Sequence, residues 1–227
     1  MTPSPKPGSS TGQNLTVKQQ RAASRAQKLE EYRRQQQRTA RNRKIGILVG
    51  IVAAVAVVAL VVTSVVLTPR PASYSAGGEG RTVEGVETFT NGAGHVETAV
   101  TYPQTPPAGG EHNPVWLNCG IYDRPVPNEN AVHALEHGAI WVTYDPALGD
   151  AELATLKSKL PSTYAVLSPY EGLPAPIVLS GWNVQLKVKS ASDKRIPEFF
   201  EEYWKSLTVP EPGAMCTGGL DAPGKVA

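Results

Sequence analysis

An unbroken apolar run at residues 45–67 limits what this chain can be more than any other feature of its sequence. These twenty-three residues carry no charge, and Thr63 and Ser64 are their only polar side chains. As a helix the run would be about 34 Å long, enough to cross a hydrocarbon core of roughly 30 Å with some tilt. Arg38, Arg41, Arg43 and Lys44 crowd its N-terminal edge, whereas Arg70 is the only nearby cation beyond its far end. The positive-inside bias therefore predicts a single span with the N-terminus in the cytoplasm and the C-terminal domain outside, in the plasma membrane. A cleaved signal peptide fits less well. Its apolar region would be too long, over forty residues precede it, and no good small-x-small site follows Leu67.

Charge divides the 227-residue chain in the same place. Residues 1–44 hold eleven Lys or Arg against Glu30 and Glu31, a net of +9, while residues 68–227 hold eleven against eighteen Asp or Glu, a net of −7. The split suggests two compartments. An acidic domain lacks the basic footprint that nucleic acid requires, so no nucleic-acid partner is expected.

Residues 1–16 are rich in Pro and Ser and predict a disordered cytoplasmic tail. Residues 17–44, built from Ala, Gln, Arg, Lys and Glu, predict a basic juxtamembrane helix with no core-facing stripe. This helix is either simply solvated or in contact with anionic lipid headgroups. Residues 68–93 are rich in Pro, Gly, Ser and Thr and suggest a linker, and residues 94–216 an extracytoplasmic domain. Residues 217–227 suggest an irregular tail.

Within the domain the pattern predicts strands at 96–102 and 115–122 separated by a loop at 103–114. A short helix follows at 129–137, then a strand at 139–144, with a helix at 146–160 that takes Pro146 in its first turn. Strands at 164–167 and 177–188 and a last helix at 193–207 complete it. Phe199, Phe200, Tyr203 and Trp204 recur at helical spacing and predict a buried stripe. The fold class is therefore α+β, a small mixed sheet with helices. From residue 115 its order is β-α-β-α-β-β-α, which suits a thioredoxin-like topology and other α+β sandwiches alike. No Cys-x-x-Cys is present, so such kinship would concern topology and carry no activity.

Cys119 and Cys216 are the only cysteines. On the outside of a cell they predict a disulfide that pins the tail to an early strand. The alternatives are free thiols, or a thiolate ligand that Met215 beside Cys216 would suit to copper. A thiol–disulfide oxidoreductase is disfavoured, because nothing in the spacing lowers a thiol pKa.

All four histidines, His95, His112, His133 and His137, fall within forty-three residues. In His133-Ala134-Leu135-Glu136-His137 the two imidazoles stand at i and i+4, on one face of a helix and close enough to hold one ion. His112 follows Gly109 and Gly110, which let the backbone approach a site closely. Imidazoles of this number suit zinc or copper, with Glu136 or Glu111 as a further ligand or as a group orienting one. The competing reading is structural: buried histidines often do no more than satisfy backbone carbonyls.

Three function classes follow. The first is a non-catalytic copper- or zinc-binding module, tethered beside a membrane protein or complex as partner. The second is an interaction domain or accessory subunit without metal, whose histidines and Trp116, Trp141 or Trp182 serve packing. The third reads His133 to His137 as His-x-x-Glu-His, a metallohydrolase pattern with Glu198, Glu201 or Glu202 completing the ligands. The short helix and the small domain argue against that third class.

The combination Pro106-Pro107 with His112, Gly120-Ile121-Tyr122-Asp123 with Pro125-Val126-Pro127, and Val132-His133 with Leu135-Glu136-His137-Gly138 resembles a bacterial family. It is known as domain of unknown function 3105, common in actinobacteria. The resemblance covers residues 95–216, and Glu111 departs from a more usual proline. It implies an N-terminal membrane anchor and marks the histidine region as the site, without implying a chemistry.

Overall fold

The computed structural model describes residues 16–67 and 70–226, so the disorder expected of residues 1–16 lies, Thr16 apart, outside the described residues. The chain divides into two units at residue 68.

Among the described residues, the first unit holds one helix, α1 (Val17–Leu67), of 51 residues. The basic segment and the apolar run are thus a single element. Its start is set by a reciprocal cap. The Gln19 N–H donates to Thr16 Oγ1 at 3.5 Å, and the Thr16 N–H donates to Gln19 Oε1 at 2.9 Å. Thr63 Oγ1 donates to the Ala59 carbonyl at 2.7 Å, so its hydroxyl brings no unpaired donor into the apolar run. By length and composition α1 can cross a membrane.

The second unit contains, in chain order, β1 (Val86–Thr88), β2 (Ala93–His95), β3 (Gly110–His112), β4 (Gly120–Ile121), α2 (Asn128–Glu136), β5 (Ile140–Tyr144) and α3 (Asp150–Ser158). It continues with β6 (Ala165–Pro169), β7 (Ile177–Gly181), β8 (Val184–Val188) and α4 (Arg195–Tyr203). Six strands form a mixed sheet in the order β1-β8-β7-β5-β6-β4. Strands β4, β6 and β5 run parallel, while β7, β8 and β1 alternate against them. β2 and β3 make a separate parallel pair.

The α+β class is as expected, and burial explains it. β5, β6 and β7 are buried along their whole length, as mostly apolar strands covered on both faces are, and their polar members Thr143, Ser168 and Ser180 are hydrogen-bonded. One core joins Ile140, Val142, Leu167, Leu179 and Leu186 to Leu156 and to Ile196, Phe199 and Phe200 of α4. The other packs Ala131, Ala134 and Leu135 of α2 on Trp141, Val166, Leu117 and Tyr122. Phe199 and Phe200 are fully buried and Tyr203 and Trp204 partly so, which makes the expected stripe.

Several expected boundaries are corrected. The single strand expected at 177–188 is the hairpin β7–β8, turning at Trp182 and Asn183, where Asn183 takes the left-handed φ of 61°. From β4 the order is therefore β-α-β-α-β-β-β-α. No strand occupies 96–102: β2 ends at His95, and the Val100 N–H is held by Glu129 Oε1 at 3.0 Å instead of a ladder partner. The expected loop at 103–114 contributes β3. The strand expected at 115–122 keeps only Gly120 and Ile121, because Leu117 and Tyr122 pair with Leu220 and Lys225 of the tail. Pro146 precedes α3 in a turn closed by Asp145, whose carbonyl accepts from Leu148 N–H at 2.8 Å.

Residues 70–93 are part of this unit and not a free linker. Val83 is buried, Tyr74 stacks on Phe200 at 4.9 Å between ring centroids, and β1 closes the sheet edge at β8.

Candidate metal centre

The parallel register of β2 and β3 sets His95 directly opposite His112. α2 supplies His133, then Glu136 in its last turn, then His137 as the C-cap residue at φ −79° and ψ −4°. Gly138 follows at φ +93°, and its carbonyl accepts from Lys205 N–H at 2.8 Å. The chain turns so tightly there that a Cβ on Gly138 would stand 3.1 Å from the Lys205 backbone. These elements bring all four histidines together. Ring centroids are 4.9 Å apart for His95–His112, His95–His133 and His112–His133, and 4.7 Å for His133–His137. His112, His133, His137 and Glu136 are buried, and His95 is exposed at the mouth, its side chain 44% accessible.

Three rings are fixed in the same way. Nδ1 of His112 lies 2.7 Å from the Gly110 carbonyl, Nδ1 of His133 2.7 Å from that of Asn113, and Nδ1 of His137 2.7 Å from that of Met215. A carbonyl only accepts, so each Nδ1 carries the proton and each neutral ring has its lone pair on Nε2. Gly109 and Gly110 take φ of +134° and +114°, a backbone conformation that L side chains rarely adopt, where the chain presents the Gly110 carbonyl to His112. Metal-binding histidines are oriented by contacts of this type.

The free Nε2 atoms meet a carboxylate. His112 Nε2 is 2.8 Å and His95 Nε2 3.6 Å from Glu136 Oε2. A neutral His112 would therefore point a lone pair at a carboxylate lone pair in a buried place. Such an approach is stable only with a second proton or a cation between the two groups. Ligand atoms of His95, His112, His133 and Glu136 all lie within 4.8 Å of one another. Tetrahedral ligands at about 2.0–2.1 Å from zinc stand about 3.4 Å apart, so small side-chain rotations would close this set on one ion.

Electrostatics favour the same state. Burial, followed by repulsion from the three neighbouring imidazoles, pushes the His133 pKa down, with its bond to Asn113 opposing, and keeps the ring neutral as a ligand must be. The set also sits at the C-terminal, negative end of α2, which favours a cation. Trp116 packs on His133 and His137 at 5.9 and 5.3 Å, and Trp182 on His112 at 5.7 Å, giving the site aromatic walls.

Glu211 belongs here, although the sequence did not point to it. Its Oε2 lies 3.3 Å from His137 Nε2, and His133, His137 and Glu211 form a second group within 4.8 Å. The C-terminal segment delivers both Glu211 and the Met215 carbonyl. That segment is tied down by the Cys119–Cys216 disulfide, with Cα atoms 5.4 Å apart, and by Glu211 N–H donating to the Glu136 carbonyl at 3.1 Å. The pairing of the two cysteines removes the thiolate-ligand and dithiol readings, and Met215 enters the site through its backbone. A glutamate seventy-four residues beyond His137 leaves no local signal in the sequence.

Other expected ligands lie elsewhere. Glu202 accepts from the N–H groups of Glu79, Gly80 and Arg81 at 2.9–3.1 Å, and Glu201 from that of Ser75 at 2.9 Å. They clasp residues 75–81 to α4 and do not complete a hydrolase ligand set. Glu198 is likewise in neither ligand group. Glu111 is exposed, and its carbonyl accepts from Tyr102 Oη at 2.7 Å.

Fold and site together define a class: a disulfide-closed α+β domain with a buried histidine–carboxylate cluster, on a chain whose described residues also include a span-length apolar helix. The chain belongs to the family described as protein of unknown function (DUF3105), whose profile matches residues 95–218 and so takes in every residue of the cluster. No curated protein and no solved structure matches it.

Proposed function

We propose that this protein is a membrane-anchored, non-catalytic metal-binding module that holds one zinc or cupric ion outside the cytoplasm. The observation that carries the reading is the convergence of carbonyl-fixed imidazoles, with their free Nε2 atoms, on the buried Glu136 carboxylate. With both thiols in a disulfide, the donors are imidazole nitrogen and carboxylate oxygen, which suit Zn(II) and Cu(II) better than Cu(I). His95, His112, His133 and Glu136 would be the ligands.

The apolar length of α1 supports anchoring, and the cation excess before it supports a cytoplasmic N-terminus. The disulfide suits an oxidising compartment. In this arrangement the tether holds the module near a membrane protein or complex at high effective concentration.

The test is elemental analysis of the full chain, purified in detergent from membranes of cells supplied with both metals, beside the His112→Ala/His133→Ala variant. The expected result is near-stoichiometric zinc or copper that the variant loses. A metal-free protein whose melting temperature neither ion raises would leave a structural interaction domain as the better account, since a ligand bound only by the native state must stabilise it. Reporter fusions at each terminus test the orientation. Activity of an extracytoplasmic reporter fused at the N-terminus would reverse it.

A further inference from the structure

The cluster offers two ligand groups, and they share one residue. His95, His112, His133 and Glu136 form the first, and His133, His137 and Glu211 the second. His133 cannot serve both at once. Its Nδ1 is held by the Asn113 carbonyl at 2.7 Å, so Nε2 carries its only lone pair. Each group has one solvent-facing member, His95 at 44% in the first and Glu211 at 47% in the second, but the first also holds two ligands that are almost wholly enclosed, His112 at 0% and Glu136 at 5%.

Resting on the metal-binding reading above, we infer that the second group is a loading and release station for the same ion. A divalent cation is first held at His137 and Glu211 together with His133. It then passes inward as His112, His95 and Glu136 replace His137 and Glu211, with His133 bound throughout. Release runs the same exchange backwards. No bond other than metal–ligand bonds changes, and no electron moves. His112, His133 and His137 keep their Nδ1 protons because the carbonyls of Gly110, Asn113 and Met215 hold them. The carboxylate of Glu211 is suited to the outer position because it reaches solvent, where it can meet a hydrated ion or a chelating donor. Its own backbone is tied to the inner site through the Glu136 carbonyl at 3.1 Å. The arrangement makes occupancy of the two groups mutually exclusive.

The test uses the full chain in detergent with Zn²⁺ as the probe, a chromophoric chelator to follow loading and release, and mass spectrometry under native conditions for stoichiometry. Wild type should take up a single ion at saturation. Glu211→Gln should slow loading and release together, each by roughly tenfold, whereas His112→Ala, which removes a ligand, should lower equilibrium affinity by more than the roughly 10–100-fold typical of losing an orienting partner. Melting of the metal-free Glu211→Gln protein checks that the tail stays docked, and Glu211→Asp, which restores the carboxylate, should recover part of the rate. Two tightly held ions per chain would overturn the shared-ligand inference while leaving metal binding intact. So would exchange kinetics of Glu211→Gln equal to wild type, or a loss of affinity in it as large as in His112→Ala. A wild-type protein that binds no Zn²⁺ would fail at the earlier step and remove both readings.

Discussion

His112 is hydrogen-bonded to acceptors at both ring nitrogens, the Gly110 carbonyl at 2.7 Å and the Glu136 carboxylate at 2.8 Å. Two states satisfy that geometry: an imidazolium paired with a carboxylate, or a neutral ring sharing a cation with Glu136. Glu136→Gln separates them. If a cation belongs there, the amide can donate to the neutral His112 Nε2, and the metal-free variant should melt at or above wild type while zinc affinity falls by more than the roughly 10–100-fold typical of losing an orienting partner. If the pair is a structural ion pair, removing one buried charge should cost about 3–5 kcal/mol of stability, and a denaturant melt would show it without any metal. The residues of this choice were partly legible in the sequence. His133, Glu136 and His137 announce themselves by helical spacing, and His112 by its glycines. Glu211 and the fixing carbonyls of Asn113 and Met215 do not, because the fold brings them in from distant segments and a carbonyl belongs to every residue.

Among the elements, α4 shows how much of its start depends on one side chain. Asp193 Oδ1 accepts from Arg195 N–H at 2.9 Å, its carboxylate pairs with the Arg195 guanidinium at 2.7 Å, and its carbonyl accepts from Ile196 N–H at 3.3 Å. The bonds from Arg195 hold the Asp193 carboxyl below the usual carboxylate range, against its partial burial. The sign follows from linkage. A folded pKa below the unfolded value of about 3.9 gives stability that is complete above pH 4–5 and lost as pH falls through the folded value. Asp193→Asn should therefore cost about 1 kcal/mol at neutral pH and progressively less in acid, a difference that denaturant melts at pH 7 and pH 3 would measure. A penalty independent of pH would mean that Asp193 acts only by shape.

The longer elements were readable because periodicity needs several turns or several alternations to register. α4 and β5 fall close to where the apolar pattern puts them. β1, β2 and β3 are three residues each and carry no period at all. The β7–β8 hairpin stayed hidden because its turn, Trp182-Asn183, contains a large apolar residue where polarity was the expected marker.

For the folded unit as a whole, its two ends hold it closed. At the C-terminus the disulfide joins residues 97 positions apart. Asn118 clasps the tail beyond it, donating to Asp221 Oδ1 at 2.8 Å and accepting from Gly219 N–H at 2.7 Å. Cys119→Ser/Cys216→Ser should lose up to about 4–5 kcal/mol by the chain-entropy account, and should also slow zinc loading and release, because the segment that carries Glu211 and fixes His137 is released. Thermal melts and zinc-exchange kinetics of the two proteins would check both effects, and unchanged exchange in the variant would show that the tail merely packs. At the N-terminal end, residues 70–93 are the segment whose composition suggested a linker, yet they do the work of a strand and a clasp. β1 pairs with β8, Val83 is buried, Tyr74 lies on Phe200 and donates to the Lys159 carbonyl at 2.6 Å, and Glu202 gathers three successive N–H groups. A chain beginning at residue 94 would uncover the apolar face that Tyr74 and Val83 fill. It would also expose β8 as an unpaired edge, which invites association with other chains. Burial of two such side chains is worth about 4 kcal/mol, which for a domain of this size is roughly 10 °C in melting temperature. Compared with a chain beginning at residue 70, the shorter one should melt lower by about that amount and elute partly as aggregate on size exclusion. Equal melting points and a monomeric shorter chain would restore residues 70–93 to the status of a linker and place the boundary of the folding unit at β2.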